Sequence, residues 1–294
     1  MTSMPTPANH WKLRSTQLTF EGLPAIMGIV NVTPDSFSDG GAYTNVELAV
    51  EHALKLAADG ASILDVGGES TRPYSDPVSA SEERERVVPV IKRIVAQCKT
   101  PISIDTSKAS VARAAIEAGA EIINDVTGLE GDPEMIKVAV DSGAGVCAMH
   151  MQGTPQTMQD APRYEDVVMD IHGYLRQRQQ HLLASGVEAE KICLDPGVGF
   201  GKTHQHNLEL LAQCDRFLDL GAPILIGHSR KGFLGKILGD KSANRDAATL
   251  GITLMMAQKG IQIIRVHEVE KTVMALKAFQ AVGAIDGTLQ QLDN

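Results

Sequence analysis

One pattern repeats along nearly the whole chain: a short run of Ile, Val and Leu, and then a longer segment rich in Ala, Leu, Glu and Lys. The short runs are apolar on both faces and bounded by turn residues, which is typical of parallel strands covered by helices. They predict eight strands, at residues 25–31, 62–65, 102–105, 121–124, 145–150, 192–195, 224–228 and 262–267. The longer segments predict helices at residues 46–59, 82–96, 111–118, 133–141, 166–184, 207–220, 247–259 and 268–281.

Eight strand–helix units indicate an α/β fold of the (β/α)8 type, the TIM barrel, whose usual length is about 250 residues. An open doubly wound sheet has the same local pattern and is the alternative. The barrel is favoured because the strand count is eight and no GxGxxG sequence follows the first strand. We expect the barrel over residues 24–284, after a tail and a short hairpin in residues 1–23 and before a tail in residues 285–294.

Composition limits the class of function. The 294 residues are 43% hydrophobic, which is enough for a large core, and the net charge of −9 argues against a protein that binds nucleic acid. The four Cys form no CxxC pair, so a disulfide scaffold is not expected and a reducing cytosol is the simpler setting. Neither a signal-peptide core nor a membrane span of about 20 apolar residues is present, so we expect a cytoplasmic protein that does not bind membranes.

Polar residues collect at the carboxyl ends of the predicted strands, where a barrel carries its functional site. They are Asn31, Asp65, Asp105, Asn124, Asp125, His150, Asp195, His228, Ser229, Arg265 and His267. Any one of them taken alone is explained by helix capping, since Asp, Asn and Ser are common caps after a strand. A whole ring is not explained in that way, because unpaired buried carboxylates are costly. The ring therefore predicts a polar pocket.

Cations gather at the same end of this acidic chain, which is the layout expected around a dianionic or diphosphate group. They are Arg72, Arg230, Lys231, Arg265 and His267. Each could be a solvated surface charge, but Arg265 follows two Ile residues in an apolar run.

On the opposite side of the mouth we expect Asp105, Asn124 and Asp195, whose oxygens suit the amino-pyrimidine edge of a nitrogen heterocycle. Asn31 offers a hard oxygen for Mg2+, which commonly binds one or two protein oxygens and substrate phosphates. The pair His204 and His206 fits surface polarity better than a metal site.

Eight segments, in order, resemble the signature blocks of the dihydropteroate synthases. They are MGIVNVTPDSFSDGG at 27–41, DVGGESTRP at 65–73, SIDT at 103–106, INDV at 123–126, MHMQGTP at 149–155, LDPGVGFGK at 194–202, GHSRK at 227–231 and RVH at 265–267. The resemblance spans about residues 24–282, and the set is far more specific than any single block. Tyr74 stands where Gly is more usual.

This resemblance implies a reaction that joins 4-aminobenzoate to 6-hydroxymethyl-7,8-dihydropterin diphosphate and releases diphosphate. It implies that the pterin is bound by Asp105, Asn124, Asp195 and Lys231, and the diphosphate by Asn31, Thr71, Arg72, Arg265 and His267, with Mg2+ at Asn31. It places 4-aminobenzoate near Phe37, Thr71, Pro73, Phe200 and Ser229. The residues expected to act in catalysis are Asp105, Lys231, Arg265 and His267. Family members are commonly dimers, so a homodimer is expected by analogy.

The residues present favour a dissociative displacement, since no Ser/His/Asp triad and no Cys nucleophile is available for a covalent intermediate. One alternative is a pterin-dependent methyltransferase, which uses a similar Asp/Asn/Asp set but has no need of the RVH or SRK segments. Another is a non-catalytic pterin-binding paralogue, which would keep the pocket carboxylates and lose loop residues such as Phe37, Asp39, Thr71 and Arg72. Those loop residues are all present, which favours the synthase.

Overall fold

The computed structural model describes residues 7–33, 42–71 and 74–291. Its strands are β1 (His10–Lys12), β2 (Gln17–Thr19), β3 (Ala25–Asn31), β4 (Ile63–Gly67), β5 (Ile102–Asp105), β6 (Ile122–Asp125), β7 (Gly145–Met149), β8 (Ile192–Asp195), β9 (Leu225–Ile226) and β10 (Ile263–Val266). Its helices are α1 (Ala42–Ala58), α2 (Ala80–Val95), α3 (Ala109–Glu117), α4 (Met135–Ser142), α5 (Val167–Ala184), α6 (His204–Ala212), α7 (Gly232–Ile237), α8 (Asp246–Gln258) and α9 (Val269–Ala281). Two 3-10 helices cover Ala189–Lys191 and Cys214–Leu220.

Strands β3 to β10 form one parallel sheet that closes into a barrel. The order of hydrogen-bonded neighbours is β8-β7-β6-β5-β4-β3-β10-β9. The strands of this sheet that come first and last along the chain, β3 and β10, are therefore neighbours. The remaining gap, between β8 and β9, is joined by a single parallel bridge between Leu194 and Ile224. The predicted (β/α)8 barrel is confirmed, since an open doubly wound sheet would leave two free edges.

Helices α2 and α5 begin at a side-chain cap, and α2 buries its apolar positions against the rest of the barrel. At α2 the Ser79 hydroxyl accepts a hydrogen bond from the Glu82 N–H, and Val87, Val90 and Ile94 lie on the buried face. At α5 the Asp166 carboxylate accepts from the N–H groups of Val168 and Met169. A short polar cap therefore sets where each of these helices begins, and apolar residues at helical spacing determine which side of the helix is buried.

One predicted helix is divided in the structure, and one short α-helix was not predicted. The helix predicted at 207–220 is divided into α6 and the 3-10 helix Cys214–Leu220. The unpredicted helix is α7, which has six residues, two of them Gly. A segment so short shows no helical periodicity, and Gly is a poor helix former, so the pattern alone does not reveal it.

The amino-terminal hairpin β1–β2 covers the end of the barrel at which its strands begin. Trp11 is fully buried there, and its Nε1 donates to the Lys191 carbonyl at 2.9 Å. It packs in one cluster with residues at the starts of the barrel strands, which are Met27, Ile63, Ile122, Cys147, Cys193, Leu225 and Ile263. The predicted hairpin is confirmed, and because it blocks this end, a ligand can enter only at the carboxyl ends of the strands. Across the described ranges, no helix combines the length and the apolar character needed to cross a bilayer.

Replacement of Trp11 by Ala should lower the free energy of unfolding by about 3–5 kcal/mol, because it empties a fully buried site and leaves the Lys191 carbonyl without its donor. Urea denaturation followed by circular dichroism measures the change. The control is Leu18→Ala, a half-buried position in the same hairpin, which should cost less than half as much. Equal losses in the two variants would contradict the role assigned to Trp11.

Candidate active site

An ion-paired cluster joins polar side chains from four barrel strands, β4, β5 and β6 on one side of β3 and β10 on the other. The Arg265 guanidinium, on β10, donates through Nε to Asp65 Oδ2 on β4 at 2.6 Å and through Nη2 to Asp105 Oδ2 on β5 at 2.8 Å. The Asn124 amide, on β6, donates to the same Asp65 oxygen at 3.2 Å. The sequence predicts Arg265 on the opposite side of the mouth from Asp105, whereas the structure joins the two directly. Asp65, which has no predicted binding role, holds the cluster together, because it accepts from both Arg265 and Asn124.

Burial and pairing set the charges in this cluster. Burial raises the pKa of Asp105 to about 7, although the neighbouring Arg265 opposes the shift. Burial also disfavours the charged form of Arg265, but Asp65 and Asp105 outweigh it and raise the pKa of the guanidinium above its usual value. Arg265 is therefore a permanent cation, while Asp105 titrates near neutral pH.

Asp195 and Lys231 form the neighbouring part of the mouth. Asp195 is almost completely buried at the end of β8, and its Oδ1 accepts from the Gly197 N–H at 2.7 Å. Burial raises its pKa to about 6, against the effects of the Gly197 hydrogen bond and of Lys231. The Lys231 ammonium lies 3.9 Å from the centroid of the Phe200 ring, and burial, together with Arg265, lowers the pKa of Lys231 to about 8.

Lys202 is buried next to this part of the mouth, where it contacts His150 and Phe200, and it was not identified from the sequence. Its fully buried ammonium donates to the Phe200 carbonyl at 2.8 Å and lies 3.1 Å from Nδ1 of His150. Burial lowers the pKa of Lys202 to about 7, and burial and Lys202 together lower that of His150 to about 3, so the imidazole is a neutral acceptor. A lysine directly after the Gly-rich run 197–201 is the sequence signal that could have drawn attention to it.

The predicted strand-end residues divide into two groups. Ser229 faces the mouth region, with its Oγ 3.0 Å from Nδ1 of His267. His228 instead lies against α8, 2.9 Å from the Thr249 carbonyl, and Asp125 accepts from the N–H and hydroxyl of Thr127. Asp125 therefore stabilises the turn after β6 and caps no helix, since the next helix, α4, begins at Met135. His228 belongs to the packing between the barrel and α8.

The segment that follows β4 is anchored by a buried charge cluster. Lys108 donates to Glu69 Oε2 and to the fully buried Glu83 Oε2, both at 2.6 Å. The other Glu69 oxygen accepts from the Val78 N–H at 2.8 Å, so Glu69 ties the two ends of this segment together. Thr71 lies half-buried within the segment. Tyr74 has φ of 63°, the left-handed conformation that favours Gly, which explains why Gly is more usual at this position.

The remaining predicted site residues lie at or beyond the edge of the described structure. Asn31 is half-buried at the carboxyl end of β3, paired in register with Gly67. The predictions for Phe37, Asp39, Arg72 and Pro73 fall outside the described residues.

The described ranges contain no group of three or more His, Cys, Asp or Glu residues placed to hold a metal. His206 instead caps α6, where its Nδ1 accepts from the Thr203 N–H. Asn31 supplies one hard oxygen at the mouth, a donor that fits Mg2+ only if water and phosphate oxygens complete its coordination.

Known proteins share both this sequence and this fold. The family described as "Pterin binding enzyme" matches residues 27–267. The dihydropteroate synthase of Escherichia coli (strain K12) is 44% identical over 258 residues, covering 88% of this chain and 91% of that protein. The structure of Xanthomonas albilineans dihydropteroate synthase with 4-aminobenzoic acid has a TM-score of 0.87 and 44% identity, covering 95% of this chain and 99% of that one. The same enzyme in complex with 7,8-dihydropteroate has a TM-score of 0.83 and 43% identity, covering 92% and 97%.

The family match and the solved structures agree on the class of protein: a TIM-barrel enzyme that binds pterins. Within the pterin-binding enzymes, the chain belongs to the dihydropteroate synthases.

Replacement of Arg265 by Ala should lower the free energy of unfolding by about 3–5 kcal/mol, because it leaves Asp65 and Asp105 buried without their cation. Thermal or urea unfolding measures the loss. The double variant Arg265→Ala with Asp65→Asn removes one of the stranded charges and should recover part of the stability. No recovery in the double variant would contradict the ion-pair assignment.

Proposed function

We infer that this chain is a transferase that condenses 4-aminobenzoate with 6-hydroxymethyl-7,8-dihydropterin diphosphate, giving 7,8-dihydropteroate and diphosphate in folate biosynthesis. The observation that carries this function is the meeting of Arg265 with Asp65 and Asp105, next to Asp195 and Lys231, in one barrel mouth. A cup with both carboxylates and cations suits a substrate with a heterocyclic head and a diphosphate tail. The solved relatives in complex with 4-aminobenzoic acid and with 7,8-dihydropteroate support the same reaction.

The pterin is held, in this proposal, by Asp105, Asn124, Asp195 and Lys231. A carboxylate accepts two parallel N–H bonds from an amino-pyrimidine edge, and Asp195 is fixed for this by the Gly197 N–H. The buried position of Asp195 strengthens such bonds, because water does not compete for them. Lys231, which lies over the Phe200 ring, supplies a donor on the same side of the cup.

The diphosphate is held by Arg265 and His267 with Asn31, Thr71 and Arg72. Arg265 is oriented before the substrate arrives, because Asp65 and Asp105 fix its guanidinium. Departure of diphosphate leaves a cation at the exocyclic methylene of the electron-rich dihydropterin, and the carboxylates of Asp105 and Asp195 stabilise it. This is preorganised electrostatic stabilisation of both separating charges. Asn31 would hold Mg2+, and that ion, when bound, supplies neutralisation of the diphosphate charge.

The second substrate, 4-aminobenzoate, is placed against Phe200 and Ser229, with Thr71, Phe37 and Pro73 completing its site. After the carbon–oxygen bond to diphosphate has broken, the amine of 4-aminobenzoate forms the new bond to the pterin methylene and releases one proton, which the departing diphosphate or water accepts. Positioning of the two partners supplies the remaining rate advantage. No covalent enzyme intermediate is required. Asp105, Lys231, Arg265 and His267 are the residues proposed to act in catalysis.

We also propose that the protein is a cytoplasmic homodimer. The support is the exposed apolar surface of the last helices, where Met274 on α9 is 65% exposed and Val282 directly after it is 66% exposed. The neighbouring α8 carries the half-buried apolar residues Ile252, Leu254 and Met255. Apolar surface of this kind on a helix pair is typical of an isologous contact between two copies.

The proposed reaction predicts that diphosphate release from the dihydropterin diphosphate depends on 4-aminobenzoate. A coupled diphosphate assay measures release with and without the arylamine. Asp195→Asn should lower kcat/KM by at least about a hundredfold, because the amide has an NH2 donor in place of the second carboxylate oxygen, cannot accept two parallel N–H bonds and carries no negative charge. Asp141→Asn, the same change on the exposed surface of α4, is the matched control and should leave the rate unchanged. Pterin binding by the wild type without release would instead favour a non-catalytic paralogue.

The buried charges predict a narrow pH optimum for kcat/KM. Burial raises the pKa of Asp195 to about 6 and of Asp105 to about 7, so activity should fall as pH drops through this range and the carboxylates take up protons. Burial lowers the pKa of Lys231 to about 8, so activity should fall again above that pH as the ammonium loses its proton. In Lys231→Arg the cation persists, and the residual activity should show no alkaline limb. An unchanged alkaline limb in this variant would contradict the assignment to Lys231.

A further inference from the structure

Arg230 has an unusual backbone conformation between two residues of the proposed site. Its φ is 57°, in the left-handed region that residues other than Gly rarely adopt. Its neighbours are Ser229, which contacts His267, and Lys231, whose ammonium lies over the Phe200 ring. A strained residue at such a place persists only if its surroundings hold it there.

Contacts from outside the barrel strands hold both the backbone and the guanidinium of Arg230. Its N–H donates to Thr249 Oγ1 at 3.3 Å, and its carbonyl accepts from Arg245 Nη1 at 2.9 Å. Its guanidinium donates through Nε to Asp246 Oδ1 at 3.0 Å and through Nη2 to Glu268. These partners belong to α8 and to the residues that precede α8 and α9, so the side chain of Arg230 is directed away from the mouth.

Two successive residues after β9, Ser229 and Arg230, contact two successive residues after β10. Ser229 meets His267, and the next residue, Arg230, meets the next residue, Glu268. The first contact lies on the side of the mouth and the second on the side of the helices. Two successive contacts of this kind fix both the distance and the rotation of one segment relative to the other.

We propose that Arg230 is a positioning residue, which locks the Ser229–Lys231 turn against Asp246 and Glu268 and thereby presents Ser229, Lys231 and His267 to the substrates. This rests on the proposed function. Arg230 touches no reacting atom. Its ion pairs offset the cost of the left-handed backbone, and that backbone turns its two neighbours toward the mouth.

Two substitutions at Arg230 separate the ion pairs from the backbone. Arg230→Gly removes the pairs but favours the left-handed conformation, whereas Arg230→Ala removes the pairs and keeps the strain. Steady-state kinetics should show the KM for 4-aminobenzoate and the dissociation constant of the dihydropterin substrate rising by about ten- to a hundredfold in Arg230→Ala. Arg230→Gly should show a smaller rise in both. A wild-type result for Arg230→Gly would overturn the proposal, since the turn alone would then suffice.

Lys271→Met is the matched control. Lys271 also contacts Asp246, at 3.3 Å, so the variant removes a cation from the same carboxylate without altering Arg230, and its kinetics should match the wild type. A loss in Lys271→Met as large as in Arg230→Ala would overturn the proposal, because the effect would then come from the loss of positive charge beside Asp246 and not from the turn that Arg230 holds.

The pH profile supplies a readout that a purely structural role would not move. If the turn loosens in Arg230→Ala, Lys231 becomes more hydrated, and the alkaline limb of kcat/KM should shift to higher pH. Where Arg230→Ala fails to fold, Glu268→Gln tests the same link with the Arg230 backbone intact, and an unchanged KM and pH profile there would overturn the proposal. Failure of the proposed function is distinct, since the wild type itself would then release no diphosphate in the presence of 4-aminobenzoate.

Discussion

A guanidinium remains inside a barrel only if carboxylates face it, because the desolvation of an unpaired charge costs several kcal/mol. In this chain Asp65 and Asp105 face Arg265, and Asn124 is hydrogen-bonded to the same Asp65. One cation therefore fixes side chains from three other strands. Asp105, which is proposed to bind pterin, and Arg265, which is proposed to bind diphosphate, belong to the same ion-pair network, so stability and chemistry are linked at Arg265.

Much of the barrel could be predicted from the sequence, since its strands are buried on both faces and stand out as short apolar runs. The ranges predicted for 25–31, 102–105 and 192–195 coincide with β3, β5 and β8. The strand predicted at 224–228 is reduced to two residues in β9, because the chain after Ile226 turns away to form the Ser229–Lys231 turn. The short α7 that follows has too few residues for periodicity to reveal it.

The sequence indicates which polar residues lie at the mouth of the barrel, but it does not indicate which of them contact each other. Strand ends show which polar residues are available, yet neighbours alternate between the two faces, so Asn124 faces inward and Asp125 caps a turn. Contacts between distant strands, such as that between Asp65 and Arg265, depend on the closure of the barrel and have no local signal. Lys202 was missed for the same reason, since its partners His150 and Phe200 come together only in the folded chain.

The closure of the barrel is uneven around its circumference. Other neighbouring strands share several paired residues, whereas β8 and the chain before β9 are joined by the single bridge between Leu194 and Ile224. Asp195 lies directly after one side of this bridge, and the turn that carries Ser229 and Lys231 follows the other side. Local opening of a sheet costs the least free energy between the two strands that share the fewest backbone pairings. Asp195 and the Ser229–Lys231 turn, both parts of the proposed binding cup, therefore border the place where the wall of the barrel has the fewest cross-links.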